Sequence, residues 1–173
     1  MLKIVTYILA GLLALALLVS LVGWWWLRAP DLPPAELEAK YTGATDHFVS
    51  LRPGLRLHYR DEGDPSKPVV VLLHGYGDAY STWQGWAPVL TPNHRVISLD
   101  LPGHGLTAAP EDFVLNADAY VQVLAEFVDK LQLPRFVLIG NSMGGGITWK
   151  YALGHQDRLR AIGLVAAAGW PRT

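Results

Sequence analysis

Hydrophobic and polar positions follow three different rhythms along this chain. From Ile4 to Leu27 no residue is charged, and only Thr6, Gly11, Ser20 and Gly23 interrupt the apolar side chains. Between His47 and Tyr59 apolar and polar residues alternate, as in strands with one wet face. Beyond Pro68, short and nearly all-apolar runs are separated by stretches with apolar residues at helical spacing.

The first run predicts a helix of about 36 Å, enough to cross a ~30 Å hydrocarbon core with some tilt. Lys3 precedes it and Arg28 follows it, with Trp24, Trp25 and Trp26 at its far end. Indole rings favour the headgroup level, where the ring is sheltered and its N–H stays wet. The expectation is an uncleaved single-pass anchor over residues 1–28 that meets membrane lipid through residues 4–27. A cleaved signal peptide is the rival reading, because Ala14-Leu15-Ala16 has the small-x-small form of a cleavage site. The apolar run continues well past Ala16, however, which a cleaved signal should not do. A buried helix of a soluble core is the third reading, and the length and the tryptophan cluster weigh against it. Lys3 and the terminal amine on one side, against Arg28 and then Asp31 on the other, place the following domain on the periplasmic or outer side.

Residues 29–44 read as a linker. Ala29 to Pro34 is stiff and extended, and Ala35 to Lys40 forms a short helical turn. A domain is expected over residues 45–173. His47–Leu51 and Leu55–Tyr59 predict a hairpin around Arg52-Pro53-Gly54. Val69–Leu73, Arg95–Leu99, Phe136–Ile139 and Ala161–Ala166 predict strands of another kind, without a polar face, as in a parallel sheet covered on both sides. Trp83, Trp86, Ala87 and Leu90 mark one intervening helix. A second has Asn116 as its N-cap and Tyr120, Leu124, Phe127, Val128 and Leu131 at helical spacing, closed by Pro134. Gly144 to Leu153 is the third. Such alternation predicts an α/β fold with right-handed crossovers.

Composition narrows the function classes. The chain has 173 residues, enough for one domain beside an anchor. Fourteen Lys and Arg against fifteen Asp and Glu leave a net charge of −1, not the basic face a nucleic-acid partner requires. The absence of cysteine excludes disulfides, Cys-ligated zinc, iron–sulfur centres and a thiol nucleophile. The glycine-rich stretches match neither the phosphate loop nor the dinucleotide fingerprint. No cofactor and no metal are expected.

The candidate chemistry sits in three motifs. Gly140-Asn141-Ser142-Met143-Gly144 has the form G-x-S-x-G between a buried strand and a helix. A sharp turn there would hold the Ser142 hydroxyl clear of the strand end, and a side chain at Gly140 or Gly144 would crowd it. The helix that follows would aim free N–H groups at developing negative charge. His74-Gly75-Tyr76-Gly77 follows the strand Val69–Leu73. An acyl-transfer site needs two backbone donors for its oxyanion, here Tyr76 N–H and Met143 N–H. His74, Gly75 and Gly77 support that loop. Asp100-Leu101-Pro102-Gly103-His104-Gly105 reads as a tight turn, with Asp100 and His104 as scaffold.

With these motifs in this order, the chain from about residue 45 onward resembles the α/β-hydrolase superfamily, in the lipase/esterase, carbon–carbon hydrolase and epoxide-hydrolase-like branch. Epoxide hydrolases and haloalkane dehalogenases carry an aspartate nucleophile at this elbow, whereas this chain has Ser142. The resemblance implies a serine hydrolase of a small ester-like, thioester or carbon–carbon substrate, with a triad in the chain order Ser, acid, His. After Ser142 come one histidine, His155, and one acid, Asp157. His155 lies at the far end of the elbow helix, nearly 20 Å from Ser142 by helical rise, so it cannot be the base. The triad acid and histidine are therefore expected outside this sequence. The fold is expected to stop after its sixth strand, with Trp170 to Thr173 opening the lid, and the fragment by itself is expected to be inactive. The alternative is a non-catalytic truncated or interaction protein on the same scaffold. A lyase or cofactor-free haloperoxidase stays open as a third reading, because function lives in the site and not in the fold.

Overall fold

The computed structural model describes residues 2–28 and 32–169. Ala29 to Asp31, part of the expected stiff linker, and Trp170 to Thr173, the expected start of a lid, lie outside the described residues. Contacts divide the chain into two units, Met1–Glu36 and Leu37–Thr173. The first holds helix α1, Leu2–Leu27, whose uncharged stretch continues through all its later turns. This helix buries none of its residues and is long and apolar enough to cross a membrane.

Helix α2, Pro34–Tyr41, begins on Pro34, whose missing N–H costs nothing in a first turn. Glu38 accepts two bonds from the Arg56 guanidinium, at 2.5 and 3.1 Å. That pairing holds the Glu38 carboxyl below its ordinary range.

The larger unit is built on a six-stranded sheet: β1 Asp46–Arg52, β2 Leu55–Glu62, β3 Val69–Leu73, β4 Arg95–Leu99, β5 Phe136–Asn141 and β6 Leu159–Val165. Their order in space is β1-β2-β4-β3-β5-β6. The expected hairpin is present, with β1 antiparallel to β2, and β2 goes on to pair antiparallel with β4. β4, β3, β5 and β6 run parallel, as their apolar runs predict. From β3 the chain crosses to β4 on one side and then returns to β5 on the other. Such a reversal opens a crevice at the carboxyl ends of the strands.

Helices α4, Ala117–Lys130, and α5, Met143–Gly154, cover one face of the sheet. Val69, Val71 and Leu73 of β3 point to that face, packing with Leu124, Phe127, Ile147 and Tyr151. Val70 and Leu72 point the other way, toward Trp83 and Val96. All five β3 residues are thereby buried, which explains a strand with no polar position. Each fully buried leucine or phenylalanine contributes about 2 kcal/mol over its exposed state.

Asn116 caps α4 as expected, its side-chain oxygen accepting from Ala119 N–H at 2.9 Å. The helix ends at Lys130, with Leu131 as C-cap, slightly before the expected stop at Pro134. A larger correction concerns the helix expected around Trp83 to Leu90. The chain forms a 3₁₀ turn, Tyr80–Trp83, and then a single turn of α3, Ala87–Leu90. Pro88 explains the break, since its ring and missing N–H are tolerated only in a first turn. The sheet stops at its sixth strand, as expected. β6 is one of its two edges among the described residues, and Ile162 and Leu164 are 41% and 49% exposed.

Candidate active site

β5 leads directly into α5 through Ser142, whose backbone lies at φ 48° and ψ −111°. A non-glycine residue held at such angles stores about 1–3 kcal/mol of strain, so its surroundings must hold it there. They do so on both sides of the residue. Ser142 N–H donates to Val165 O at 2.9 Å, and Ser142 O accepts from Ala168 N–H at 2.8 Å and Gly146 N–H at 3.1 Å. The glycines are sterically required. A Cβ at Gly140 would overlap the backbone of Gly144, and one at Gly144 would overlap the carbonyls of Leu73 and His74. That close approach seats the start of α5 on the end of β3, where Gly144 N–H donates to His74 O at 3.1 Å.

The loop after β3 lies against the same elbow. A Cβ on Gly75 would stand 3.0 Å from the Asn141 side chain and 3.4 Å from Ser142 Cβ. Gly77 has φ +71°, a conformation that favours glycine. His74 is fully buried and uses both ring nitrogens. Nδ1 donates to Gly75 O at 2.7 Å, and Nε2 accepts from Leu101 N–H at 3.0 Å. Burial pushes its pKa below the usual histidine value, and the neutral ring is the form these two bonds require. His74 thus ties the loop after β3 to the loop after β4, with no nitrogen left for another role.

Asp100, at the end of β4, is buried and fully engaged, as its scaffold reading predicts. Its carboxylate accepts from Tyr80 N–H at 2.7 Å and Leu106 N–H at 2.9 Å, and it lies 2.8 Å from His58 Nδ1. The other His58 nitrogen is 3.0 Å from Asp46 Oδ1. This buried Asp46–His58–Asp100 chain was not legible in the sequence, because its members sit on three separate segments. The His104 ring lies tilted beside that of His74, 5.1 Å between centroids, and edge-on to Tyr76, with Nδ1 at 3.2 Å from Pro102 O. His155 lies where helical rise places it, at the far end of α5, stacked on Tyr151 at 4.2 Å between ring centroids. Burial raises the Tyr151 pKa to about 12.

A cavity of about 500 Å³ brings Tyr76, Ser142 and Met143 together. Among the described residues, neither Tyr76 N–H nor Met143 N–H has a hydrogen-bond acceptor. The remaining wall is less visible in the sequence. Leu115, Asn116 and Tyr120 come from α4 and the loop before it, and Gly146, Ile147, Trp149 and Lys150 from α5. Gly146, Trp149 and Lys150 could have been found from the elbow, because they stand four, seven and eight positions after Ser142 and so recur at helical spacing, whereas Ile147 falls outside that series. Trp149 Nε1 donates to Ala168 O at 2.9 Å and fixes the segment after β6 as a further wall. No group of three metal-ligating side chains occurs among the described residues.

The chain is similar to known proteins. The alpha/beta hydrolase fold family matches residues 68–173. Bifunctional epoxide hydrolase 2 of Sus scrofa is 32% identical over 152 residues, which is 86% of this chain and 26% of that protein. The 2-hydroxymuconate semialdehyde hydrolase of Pseudomonas sp. (strain CF600) is 33% identical over 119 residues, or 67% of this chain and 41% of that one. The crystal structure of a membrane phospholipase A, a bacterial virulence factor, superposes with a TM-score of 0.72 at 28% identity, covering 97% of this chain and 54% of the other. The chain therefore spans between about a quarter and about half the length of these relatives. From the strand order, the strained turn between β5 and α5, and the match over residues 68–173, the chain belongs to the α/β-hydrolase fold family.

Proposed function

We propose that this chain carries the nucleophile half of a membrane-anchored serine hydrolase acting on ester-like or carbon–carbon bonds. The observation that carries the reading is Ser142: a serine in strained backbone at a strand–helix turn, lining one cavity with Tyr76 and Met143. Ser142 Oγ attacks the substrate carbonyl, and Tyr76 N–H and Met143 N–H bind the oxyanion as it forms. The base that takes the Ser142 proton, and the acid that orients that base, belong to polypeptide outside these residues. In support, His74 is committed to its loop and His155 lies at the wrong end of α5. The fragment by itself then turns over little or nothing.

Anchoring rests on α1, which is uncharged from Ile4 to Leu27 and buries nothing. The similarity to a membrane phospholipase A supports it, since 97% of this chain includes most of α1. The domain sits on the periplasmic or outer side, residues 29–44 link it to the anchor, and it uses no cofactor or metal. The test is hydrolysis of short-chain nitrophenyl esters by membranes that carry the natural gene product. Activity that falls to background in Ser142→Ala supports the proposal, and activity that survives the substitution contradicts it.

A second reading follows from one observation: among the described residues, no histidine bonds the Ser142 hydroxyl. A serine without a base keeps weak nucleophilicity. On that reading the chain is a non-catalytic truncated or interaction protein on a hydrolase scaffold, and the same assay shows no difference between wild type and Ser142→Ala.

A further inference from the structure

The cavity beside Ser142 is lined almost wholly by uncharged groups. Among the described residues of its wall, Lys150 alone carries a formal charge. It lies eight residues after Ser142, about 12 Å along the axis of α5. Gly146, Ile147 and Trp149 lie between them on the α5 wall, with Leu115 and Ala117 from the loop before α4 and its first turn. The cavity thus has a reacting end, an apolar middle and a cationic end.

The Lys150 ammonium is 2.7 Å from Asp118 Oδ1, a bond that joins α5 to the first turn of α4. Asp118 is 75% exposed and Lys150 34%. A pair this wet is weakly held, because water competes for both ions. Asp118 also loses little on release, since a carboxylate in the first turn of a helix is favoured by the helix dipole. Lys150 is the more sheltered partner of the two, and it is the one charged group that an anion entering along this wall would meet.

We propose that Lys150 makes this cavity a site for anionic amphiphiles: the apolar chain fills the middle, and a carboxylate or phosphate displaces Asp118 from the ammonium. The inference rests on the serine-site reading for the orientation of the substrate, and it narrows the substrate class to esters that carry an acidic group at the end of a chain remote from the scissile carbonyl.

The test uses the full chain in uncharged maltoside micelles, titrated separately with hexanoate, hexyl phosphate and hexanol. Binding is followed at the indole N–H resonance of Trp149, assigned with Trp149→Phe. The two anions are expected to bind at least tenfold more tightly than hexanol. Lys150→Met should bring them within twofold of hexanol while leaving hexanol unchanged, and Asp118→Asn should tighten both anions. Hexyl phosphate binding more tightly than hexanoate assigns a phosphate headgroup, and hexanoate binding more tightly than hexyl phosphate assigns a carboxylate; both support the site. Equal affinity of all three ligands for the wild type, discrimination that survives Lys150→Met, or no response at Trp149 would overturn it. Ser142→Ala should bind the anions as the wild type does, so failure of this proposal and failure of the nucleophile reading are separately visible.

Discussion

The amide of Ala168 donates to the carbonyl oxygen of Ser142 over 2.8 Å. This bond joins the segment after β6 to the turn between β5 and α5, two strand ends that lie side by side in the sheet. Ala166 makes the reversal possible with a φ of 45°. The strain at Ser142 is therefore balanced by a neighbouring strand end, and Trp149 holds the same segment from the helix side.

Gly144 is where this packing tolerates least. Gly144→Ala would press a methyl group into the carbonyls of Leu73 and His74, which are backbone atoms and cannot swing aside. The expected loss is about 2–3 kcal/mol. A lowered urea midpoint with an unchanged slope checks it.

Asp100 holds two loops and a buried histidine at once. Asp100→Ala leaves Tyr80 N–H, Leu106 N–H and His58 Nδ1 without their acceptor. Removing one partner of a buried charged network costs about 3–5 kcal/mol. Denaturant unfolding should show the loss, and amide exchange at Tyr80 and Leu106 should accelerate.

His74 makes stability depend on pH. Its folded pKa is lowered, chiefly by burial, so the unfolded chain binds the proton more readily. The stabilisation is present above the unfolded value of about 6.5 and is lost as the pH falls through the folded value. Unfolding free energy should therefore decline below about pH 6.5, and the decline should be shallower in His74→Asn. Equal slopes in the two proteins would exclude His74 as the source.

Much of the fold was legible in the sequence because burial leaves a period. Val69–Leu73 has no polar residue because both faces of β3 are covered, and Asn116 announced α4 by its capping chemistry. The stretch around Trp83 misled because helical spacing of apolar residues does not reveal where Pro88 permits a helix to start. At the site, the G-x-S-x-G spacing reflects a steric requirement and is local. The Asp46–His58–Asp100 chain and the Lys150–Asp118 pair depend on which strands and helices become neighbours, which no local pattern encodes.

The α1 anchor has its own test. After an alkaline carbonate wash the intact chain should stay with the membrane, and a chain lacking residues 2–27 should be released. An N-terminus that begins just after Ala16 would show a cleaved signal instead.

The central claim is that Ser142 is a nucleophile, and the most direct measurement is the mass of its peptide after exposure to a fluorophosphonate. Native membranes that carry the gene product should yield the Ser142 peptide with the phosphonate adduct, and the adduct should be absent from Ser142→Ala. An unmodified Ser142 peptide, in membranes where other serine hydrolases are labelled to completion, would contradict the account.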